Sequence, residues 1–395
     1  MNRVYLDNAA TTRTDEVVVQ AMLPYFTEVF GNSHSQHEFG REAHRAVDVA
    51  RKQVADAINA HPNEVYFTGS GSEADNWAIK GTALGHSEQG KHIITTQIEH
   101  HAILNSCAWL EKHGFEVTYL PVDEFGTVRV EALKKALRPD TTLVSVMMAN
   151  NEVGTIQPVK EIAKIVHENS KALFHVDAVQ AMGSIPVDVK ELDCDLLSIS
   201  AHKFYGPKGI GALYIRNGVR IDKLIVGGGQ ERSMRGGTTN TPAVVGMGVA
   251  IENAVKNQPQ YAAHCAALRD HLVARIRAEI PDVKYNGSEI NRLPNNANFS
   301  FEYIEGESLL MRLDLAGIAV SSGSACSSGS LEPSHVLHAM GVDVVLGHGS
   351  IRFSFGKHNT LEEVDYVVDT LRDTVALLRK MSPLYSMKKG ENKNA

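Results

Sequence analysis

The protein has 395 residues, of which 22% are charged and 43% are hydrophobic, and its formal net charge is −7. This length predicts two domains, and this composition excludes an intrinsically disordered chain. The negative charge argues against nucleic acid or an anionic membrane as a partner. The sequence holds no apolar stretch long enough to cross a bilayer, and the start, Met1 to Asp7, reaches an acid before any signal-type apolar run. We therefore expect a cytoplasmic protein without a membrane segment.

Strand-like runs alternate with helical segments between about residue 64 and residue 225. This alternation predicts an α/β fold with a mainly parallel central sheet and helices on both faces. In such a sheet, functional residues gather at the carboxyl ends of the strands. The predicted strands are Glu64 to Thr68, Lys91 to Thr96, Phe115 to Leu120, Thr141 to Met148, Ala172 to Val176, Asp195 to Ser200 and Gly211 to Ile215.

Polar residues follow three of these strands. Gly69-Ser70-Gly71-Ser72-Glu73 forms a glycine-rich turn before a helix predicted from Ala74 to Leu84, and such a turn offers N–H groups to an anion. Glu99-His100-His101 and Asn150-Asn151-Glu152 follow the second and fourth strands. Taken singly, each group is about as consistent with a helix cap or a solvated loop as with function.

Two further strands end in residues that suit one phosphorylated aldehyde cofactor. One is followed by Ser200-Ala201-His202-Lys203, and the other ends in Asp177, with Gln180 three residues on. The aldehyde needs an amine, the phosphate needs hydroxyl and ring N–H donors, and a pyridinium nitrogen needs a carboxylate. Alone, Asp177 is more often a helix cap and Lys203 an exposed amine. Together they predict pyridoxal phosphate, with Gln180 donating toward its phenolate oxygen.

A smaller α+β domain is predicted beyond about Val255. It contains a charged helical stretch, a strand region, a helix and a last strand, and the start of the chain is expected to join it. The predicted large domain therefore covers residues 16–255, the small one covers 1–15 and 256–385, and 386–395 is expected to be a flexible tail. The predicted elements of the small domain are Tyr261 to Glu279, Pro294 to Tyr303, Gly306 to Ala316 and Ser350 to Phe355.

One cysteine lies in a loop of small residues, Ser321-Ser322-Gly323-Ser324-Ala325-Cys326-Ser327-Ser328-Gly329-Ser330. Such a loop is expected to offer Cys326 to substrate as a nucleophile, although a chance cysteine on a linker is the alternative. The four cysteines lie far apart without a Cys-x-x-Cys pair, which predicts neither a disulfide framework nor a zinc site. The other three, read as packed or surface residues, are Cys107, Cys194 and Cys265.

Several of these runs closely resemble the NifS/IscS-type cysteine desulfurases of the class-V aminotransferase family. The cysteine loop with its following Leu331 to His335 is specific to that group, whereas the lysine and aspartate motifs are shared with many fold-type I pyridoxal phosphate enzymes. The resemblance extends from Tyr5 to about Pro383. The matching runs are Tyr5 to Thr12, Asn150 to Gly154, His175 to Gln180, His202 to Gly209, Ser321 to Cys326 and Ser350 to Ser354.

The resemblance implies a fold-type I architecture and a role for each matching residue. Lys203 matches the Schiff-base lysine, Asp177 the partner of the pyridine nitrogen, and His100 the imidazole stacked on the ring. Asn151, also counted among the cofactor-binding positions, and Arg352 match the pair that holds the substrate carboxylate, a group that a guanidinium binds with two hydrogen bonds. The matches to phosphate-binding positions are Gly71, Ser72, Ser200, His202 and, contributed in the family by the neighbouring subunit, Thr238.

The sequence departs from the family pattern at three places. The glycine turn Gly69 to Ser72 differs in order and side chains from the usual Ser-Gly-Ala-Thr or Cys-Gly-Thr. Ala201 stands where glycine is common, and Gly31 to His34 lacks the usual proline after asparagine. The first two departures affect the contacts expected with the cofactor phosphate, and the third affects the conformation of one turn.

The resemblance implies a homodimer that converts L-cysteine to L-alanine and transfers the sulfur to Cys326 as a persulfide. The sulfur would pass to an iron–sulfur scaffold or another acceptor protein, with no resident metal and with Cys326 meeting an iron–sulfur cluster only during transfer. An aminotransferase would use Lys203 and Asp177 without needing Cys326, and a selenocysteine lyase would share all three residues. A catalytically idle binding protein should lack one of these residues, and none is missing.

Overall fold

A computed structural model describes residues 3–322 and 334–388 of the chain. The predicted cysteine loop, with Cys326, therefore lies outside the described residues. The same holds for residues 389–395 of the predicted tail, whereas 386–388 close a helix. Within the described ranges, no helix combines the length and the apolar character that a membrane span requires.

A seven-stranded sheet forms the centre of the larger part of the molecule. Its spatial order is β2-β8-β7-β6-β5-β3-β4, and all neighbours run parallel except β8, which is antiparallel to β2 and β7. β5 and β7 are buried along their whole length because helices cover both faces of the sheet. The strands are β2 Val65–Thr68, β3 His92–Thr96, β4 Glu116–Leu120, β5 Thr141–Met147, β6 Leu173–Asp177, β7 Leu196–Ser200 and β8 Gly211–Ile215.

The helices that cover the sheet are amphipathic. One of them, Val159–Asn169, buries Val159, Ile162, Ala163 and Val166, which lie on one face at helical spacing. The helices up to residue 279 are α1 Glu16–Met22, α2 Pro24–Thr27, α3 Glu38–Ala57, α4 Gly71–Gly85, α5 His101–Glu111, α6 Val130–Ala136, α7 Val159–Asn169, α8 Val189–Leu192 and α9 Thr241–Glu279.

A second sheet and the N-terminal residues share a separate hydrophobic core. The sheet is antiparallel in the order β12-β13-β10-β9, and β1 (Val4–Tyr5) pairs in parallel with β11 (Ile318–Ala319). Val4 and Leu6 are buried in the same cluster as Phe299 and Phe353. The remaining elements are β9 Val283–Asn286, β10 Asn296–Phe301, β12 Ser321–Ser322, β13 Ser350–Ser354, α10 Gly306–Leu315, α11 His335–Ala339, α12 Val344–His348, α13 Leu361–Met381 and α14 Pro383–Lys388.

The predicted fold class is confirmed, with a mostly parallel central sheet, helices and a smaller sheet. The long helix α9 runs through the predicted boundary at residues 255 and 256, with Pro259 inside it. A single helix therefore connects the two hydrophobic cores, and the domain boundaries stay a prediction.

Candidate active site

Asp177 is the last residue of β6, near the centre of the large sheet. Its carboxylate is buried and accepts a hydrogen bond from the Val179 N–H at 2.9 Å. Burial raises the pKa of this carboxyl to about 6, although the Val179 N–H and Lys203 act in the opposite direction. A buried carboxylate at a strand end is a suitable partner for a cationic ring nitrogen.

Lys203 ends a short 3₁₀ turn, Ala201–Lys203, that follows β7 directly. Its Nζ donates to the carbonyl oxygens of Ala9 at 2.6 Å and Ala10 at 2.8 Å. The side-chain amide of Gln180 donates to the same Ala9 carbonyl at 3.0 Å. The N-terminal segment thus contacts both Lys203 and Gln180.

Candidate donors to an anion lie where α4 begins. A Cβ atom on Gly71 would lie 3.0 Å from Cγ2 of Val179 and 3.1 Å from Cβ of Ser200, so glycine permits the close approach of α4 to β7. The Ser70 hydroxyl caps the helix by accepting from the Glu73 N–H at 3.1 Å. The N–H groups at this helix start and the Ser200 hydroxyl are the donors that a phosphate requires.

The remaining predicted phosphate residues lie around this helix start. Ser72 is exposed in the first turn of α4. Nδ1 of His202 lies 3.1 Å from Oγ1 of Thr11. Thr238 is exposed and lines a cavity of about 200 Å³ beside Thr68 and Gly69 of the same chain.

His100 caps α5, because its Nδ1 accepts a hydrogen bond from the Ala102 N–H at 3.1 Å. Burial, followed by the positive charge of Lys203 and the neighbouring His101 and His335, lowers the pKa of His100 to about 4. The imidazole is therefore neutral at pH 7, and its proton is on Nε2 because Nδ1 is an acceptor.

Arg352 and Asn151, which the resemblance assigns to the substrate carboxylate, contact each other. Nη1 of Arg352 donates to the Asn151 backbone carbonyl at 2.9 Å, and Nη2 donates to Oδ1 of Asp7 at 2.9 Å. Asn151 and Arg352 are both buried. A guanidinium in this position can bind a carboxylate with two parallel hydrogen bonds.

Cys326 lies outside the described residues. The residues on either side of the undescribed segment contact the site. Ser321 donates to Oδ1 of Asp7 at 2.8 Å, and Ser334 donates a short hydrogen bond to the buried Glu152. The other cysteines are all buried, and burial raises the pKa of the Cys107 and Cys265 thiols to about 12 and moves that of Cys194 upward too.

Several contacts of the predicted site residues could not be read from the sequence. Asp7, Ala9, Ala10 and Thr11 each contact a predicted site residue, yet the Tyr5 to Thr12 run contributed only to the resemblance. The signal available in the sequence was the cluster of small and hydroxyl residues in this run, which lies outside the strands of the large sheet.

Buried acids beside the site were also missed. Asp75 of α4 lies 3.9 Å from Nε2 of His175, and burial together with the charge of Asp177 raises its pKa well above the usual range. Burial raises the pKa of Glu99 to about 8 and that of Glu152 to about 7. The sequence around an acidic residue does not indicate whether its carboxyl group is buried in the folded protein.

The residues present fit pyridoxal phosphate on the chemistry of their donors and acceptors. Lys203 supplies an amine, Asp177 a buried carboxylate, and the start of α4 with Ser200 supplies phosphate donors. The Cα atoms of Asp177 and Ser198 are paired across β6 and β7, so the carboxylate and the phosphate donors lie on adjacent strands.

Comparisons with known proteins cover almost the whole chain. The class-V aminotransferase family profile matches residues 4–367. A cysteine desulfurase IscS from Methanosarcina thermophila is 55% identical over 381 residues, which cover 96% of this chain and 94% of that protein. A solved NifS-like protein is 43% identical with a TM-score of 0.91, covering 95% of this chain and 100% of that one. SspA in complex with cysteine is 36% identical with a TM-score of 0.80, covering 91% and 100% respectively.

Proposed function

The chain belongs to the class-V aminotransferase family, in its NifS/IscS-like group, and we propose that it is a cysteine desulfurase. It converts L-cysteine to L-alanine and transfers the sulfur to Cys326. The observation that carries this proposal is the 55% identity to a cysteine desulfurase IscS over 96% of this chain. The positions of Lys203 and Asp177 at the ends of the adjacent strands β7 and β6, with the start of α4 packed against Ser200, support a pyridoxal phosphate enzyme.

Pyridoxal phosphate is the proposed cofactor. Lys203 would hold it covalently, Asp177 would pair with its ring nitrogen, and Gln180 would donate to its phenolate oxygen. Its phosphate would receive hydrogen bonds from Gly71, Ser72, Ser200 and His202, with Thr238 contributed by a second subunit. Bound there, the cofactor supplies an aldehyde for the substrate amine and a ring that accepts the electron pair released at Cα.

The chain's own residues then bind the substrate and move protons. Arg352 and Asn151 hold the substrate carboxylate, and Lys203 takes the proton from Cα. His100, neutral at pH 7 with its proton on Nε2, would stack on the cofactor ring and exchange protons with the substrate.

Sulfur transfer is assigned to Cys326. Its thiolate attacks the substrate sulfur, an S–S bond forms as the C–S bond breaks, and the electron pair stays with the carbon fragment. One proton delivered to Cβ and one returned to Cα complete alanine. The persulfide sulfur then passes to an iron–sulfur scaffold or another acceptor protein, and we place this reaction in the cytoplasm of the cell.

The test is mass spectrometry of the protein after incubation with L-cysteine, together with assays for alanine and sulfide. The expected result is one added sulfur on the peptide that contains Cys326, and alanine and sulfide in equal amounts in the presence of a reductant. Borohydride should attach the cofactor to Lys203. Detection of pyruvate from alanine with an acceptor, and of no sulfide from cysteine, would favour an aminotransferase instead.

Variants separate the roles of the residues. Cys326→Ala should abolish persulfide and sulfide while cysteine binding remains, whereas Lys203→Ala should also lose covalent attachment of the cofactor. Cys107→Ala, Cys194→Ala and Cys265→Ala are the matched controls, because these buried thiols have raised pKa values. Sulfur transfer that survives Cys326→Ala but is lost in a control would refute the assignment.

A further inference from the structure

Asp7 already neutralises the guanidinium that the proposed function assigns to the substrate carboxylate. Oδ1 of Asp7 lies 2.9 Å from Nη2 of Arg352. The Arg352 side chain is only 4% exposed, so the pair is largely removed from water. A buried charge needs a partner of opposite sign, and Asp7 provides one before any ligand arrives.

Arg352 retains donors for a second carboxylate. A guanidinium has five N–H groups, and the bonds to Asp7 and Asn151 use two of them. The Nε atom is buried and has no hydrogen-bond partner among the described residues. A buried donor of this kind favours an incoming acceptor, which here would share the guanidinium with Asp7.

Asp7 is held in place by more than Arg352. The Ser321 hydroxyl donates to the same Oδ1 at 2.8 Å, and Ser321 is the Cα partner of Arg352 across β12 and β13. Asp7 also forms a backbone bridge with Ser354, two residues after Arg352. These bonds keep the Asp7 carboxylate beside the guanidinium when a ligand binds.

We propose that Asp7 is a specificity-determining residue that competes with the α-carboxylate of amino acids for Arg352 and so keeps their affinity low. The inference rests on the proposed function, because it takes Arg352 as the carboxylate site. An amino acid that binds brings a second negative charge to one guanidinium, and the two carboxylates repel each other. The consequence is weak retention of the amino-acid product, which favours its release.

A purely orienting role for Asp7 predicts the opposite sign. If Asp7 only aligned the guanidinium, its removal would leave Arg352 misplaced, and carboxylate binding would weaken. If Asp7 competes, its removal leaves the buried guanidinium without its ion-pair partner, and carboxylate binding would strengthen. The direction of the change in affinity therefore separates the two roles.

The experiment measures dissociation constants of the cofactor-loaded protein for L-alanine and for L-alaninamide, which lacks the negative charge. Asp7→Asn should lower the dissociation constant for alanine by about a hundredfold or more, as expected when the repulsion between two carboxylates about 6 Å or less apart is removed at an effective dielectric constant near 20. The constant for alaninamide should stay nearly unchanged. Product inhibition of L-cysteine turnover by alanine should strengthen by a similar factor.

Asp15→Asn is the matched control. The Asp15 side chain is 17% exposed and pairs with Lys357, whereas that of Asp7 is 18% exposed and pairs with Arg352. The control should leave both dissociation constants unchanged. Asp7→Ser repeats the test with a smaller neutral side chain, and circular dichroism establishes first that each variant is folded.

Three results would overturn the proposal: weaker alanine binding in Asp7→Asn, equal changes for alanine and alaninamide, or failure of both Asp7 variants to fold. Arg352→Ala distinguishes a failure of this proposal about Asp7 from a failure of the proposed function. If Arg352→Ala leaves the preference for alanine over alaninamide intact, Arg352 is not the carboxylate site, and the site assignment is wrong. If the preference is lost but Asp7→Asn changes neither constant, only the role of Asp7 is wrong.

Discussion

Burial, more than any neighbouring charge, sets the protonation of the residues around this site. It lowers the pKa of His100 to about 4 and that of His202 to about 4, and it raises the pKa of Glu99 to about 8. At pH 7 both imidazoles are neutral, and Glu99 is largely protonated. Burial therefore keeps these two imidazoles and the Glu99 carboxyl uncharged, whereas Asp177, with a pKa of about 6, is mostly ionised at pH 7.

Glu99 makes the stability of the protein depend on pH. Its Oε1 accepts hydrogen bonds from Thr96 at 2.7 Å and from the Met147 N–H at 3.0 Å, while Oε2 is buried without a partner among the described residues. Between the ordinary pKa of 4.5 and about 8, the folded protein keeps this proton and the unfolded chain has lost it. The free energy of unfolding should therefore fall as the pH rises through that window.

We predict that Glu99→Gln removes this fall, because the amide keeps the two accepted bonds and does not ionise. At pH 8.5 the free energy of unfolding should exceed that of the original protein by on the order of 3 kcal/mol, and near pH 5 the two should be similar. Urea unfolding at both pH values checks the prediction. Glu124→Gln, at an exposed position, is the control. Parallel pH profiles for Glu99→Gln and the original protein would contradict it.

Among the helices, α4 begins with a turn that stabilises the helix and that, in the proposed function, binds the cofactor phosphate. Ser70 caps the helix, and the Glu73 carboxylate accepts from the Gly69 N–H at 2.7 Å and pairs with Arg235. The cap and the ion pair hold the turn, so that the first N–H groups of α4 keep a fixed distance from Ser200. Gly71 at the contact allows that distance to be short.

We predict that Gly71→Ala weakens pyridoxal phosphate binding by about tenfold, a loss of about 1.4 kcal/mol. The new Cβ would crowd Val179 and Ser200 at 3.0 to 3.1 Å and move the helix start away from the phosphate. Alanine also favours the helix by up to about 1 kcal/mol, so the stability of the cofactor-free protein should change little. Equilibrium dialysis of cofactor and thermal unfolding measure the two effects.

Asn76→Ala is the control for that measurement, because the half-buried Asn76 side chain donates a solvent-exposed hydrogen bond to the Ser72 carbonyl of the same helix. It should leave cofactor affinity unchanged. A Gly71→Ala protein that binds the cofactor as tightly as the original would mean that the phosphate does not use this helix start.

The sequence predicts the positions of the strands better than it predicts the contacts between residues that are far apart in the chain. The predicted and observed bounds of Gly211–Ile215 are identical, and the other strands of the large sheet differ by one residue at one end, or at both ends in the case of Leu173–Asp177. Apolar runs with polar ends mark buried strands clearly. The hydrogen bonds of Asp7 to Arg352 and of Lys203 to Ala9 join residues 345 and 194 positions apart, and no local pattern reports such pairs.

For the whole molecule, the N-terminal segment connects the two cores. Val4 and Leu6 are buried in the smaller core, and Ala9 to Thr12 contact Lys203 and His202 beside the large sheet. The site therefore depends on both parts of the chain. A truncation before residue 12 would remove part of the proposed active site along with two residues of the smaller core.

A surface beside Thr238 has the character of a subunit interface. Phe30 and Phe39 are 64% and 53% exposed, with ring centroids 5.5 Å apart. A cavity of about 450 Å³ connects the nearby Ser33 and His34 to Thr239. Exposed aromatic pairs are typical of protein interfaces, and Thr238 matches a phosphate contact that the family makes across subunits. We therefore expect a homodimer whose interface includes Phe30 and Phe39.

The last prediction is that replacing both aromatic residues, Phe30→Glu and Phe39→Glu, converts the dimer to a monomer. Two carboxylates on each subunit would be buried against the partner, and that desolvation is too costly for association. Sedimentation should show half the mass, and cofactor affinity should fall because Thr238 of the second subunit is lost. Ile290→Glu, at a 90% exposed position, should remain dimeric. An active monomer of the original protein would refute the dimer, and a double variant that stays dimeric would place the interface elsewhere.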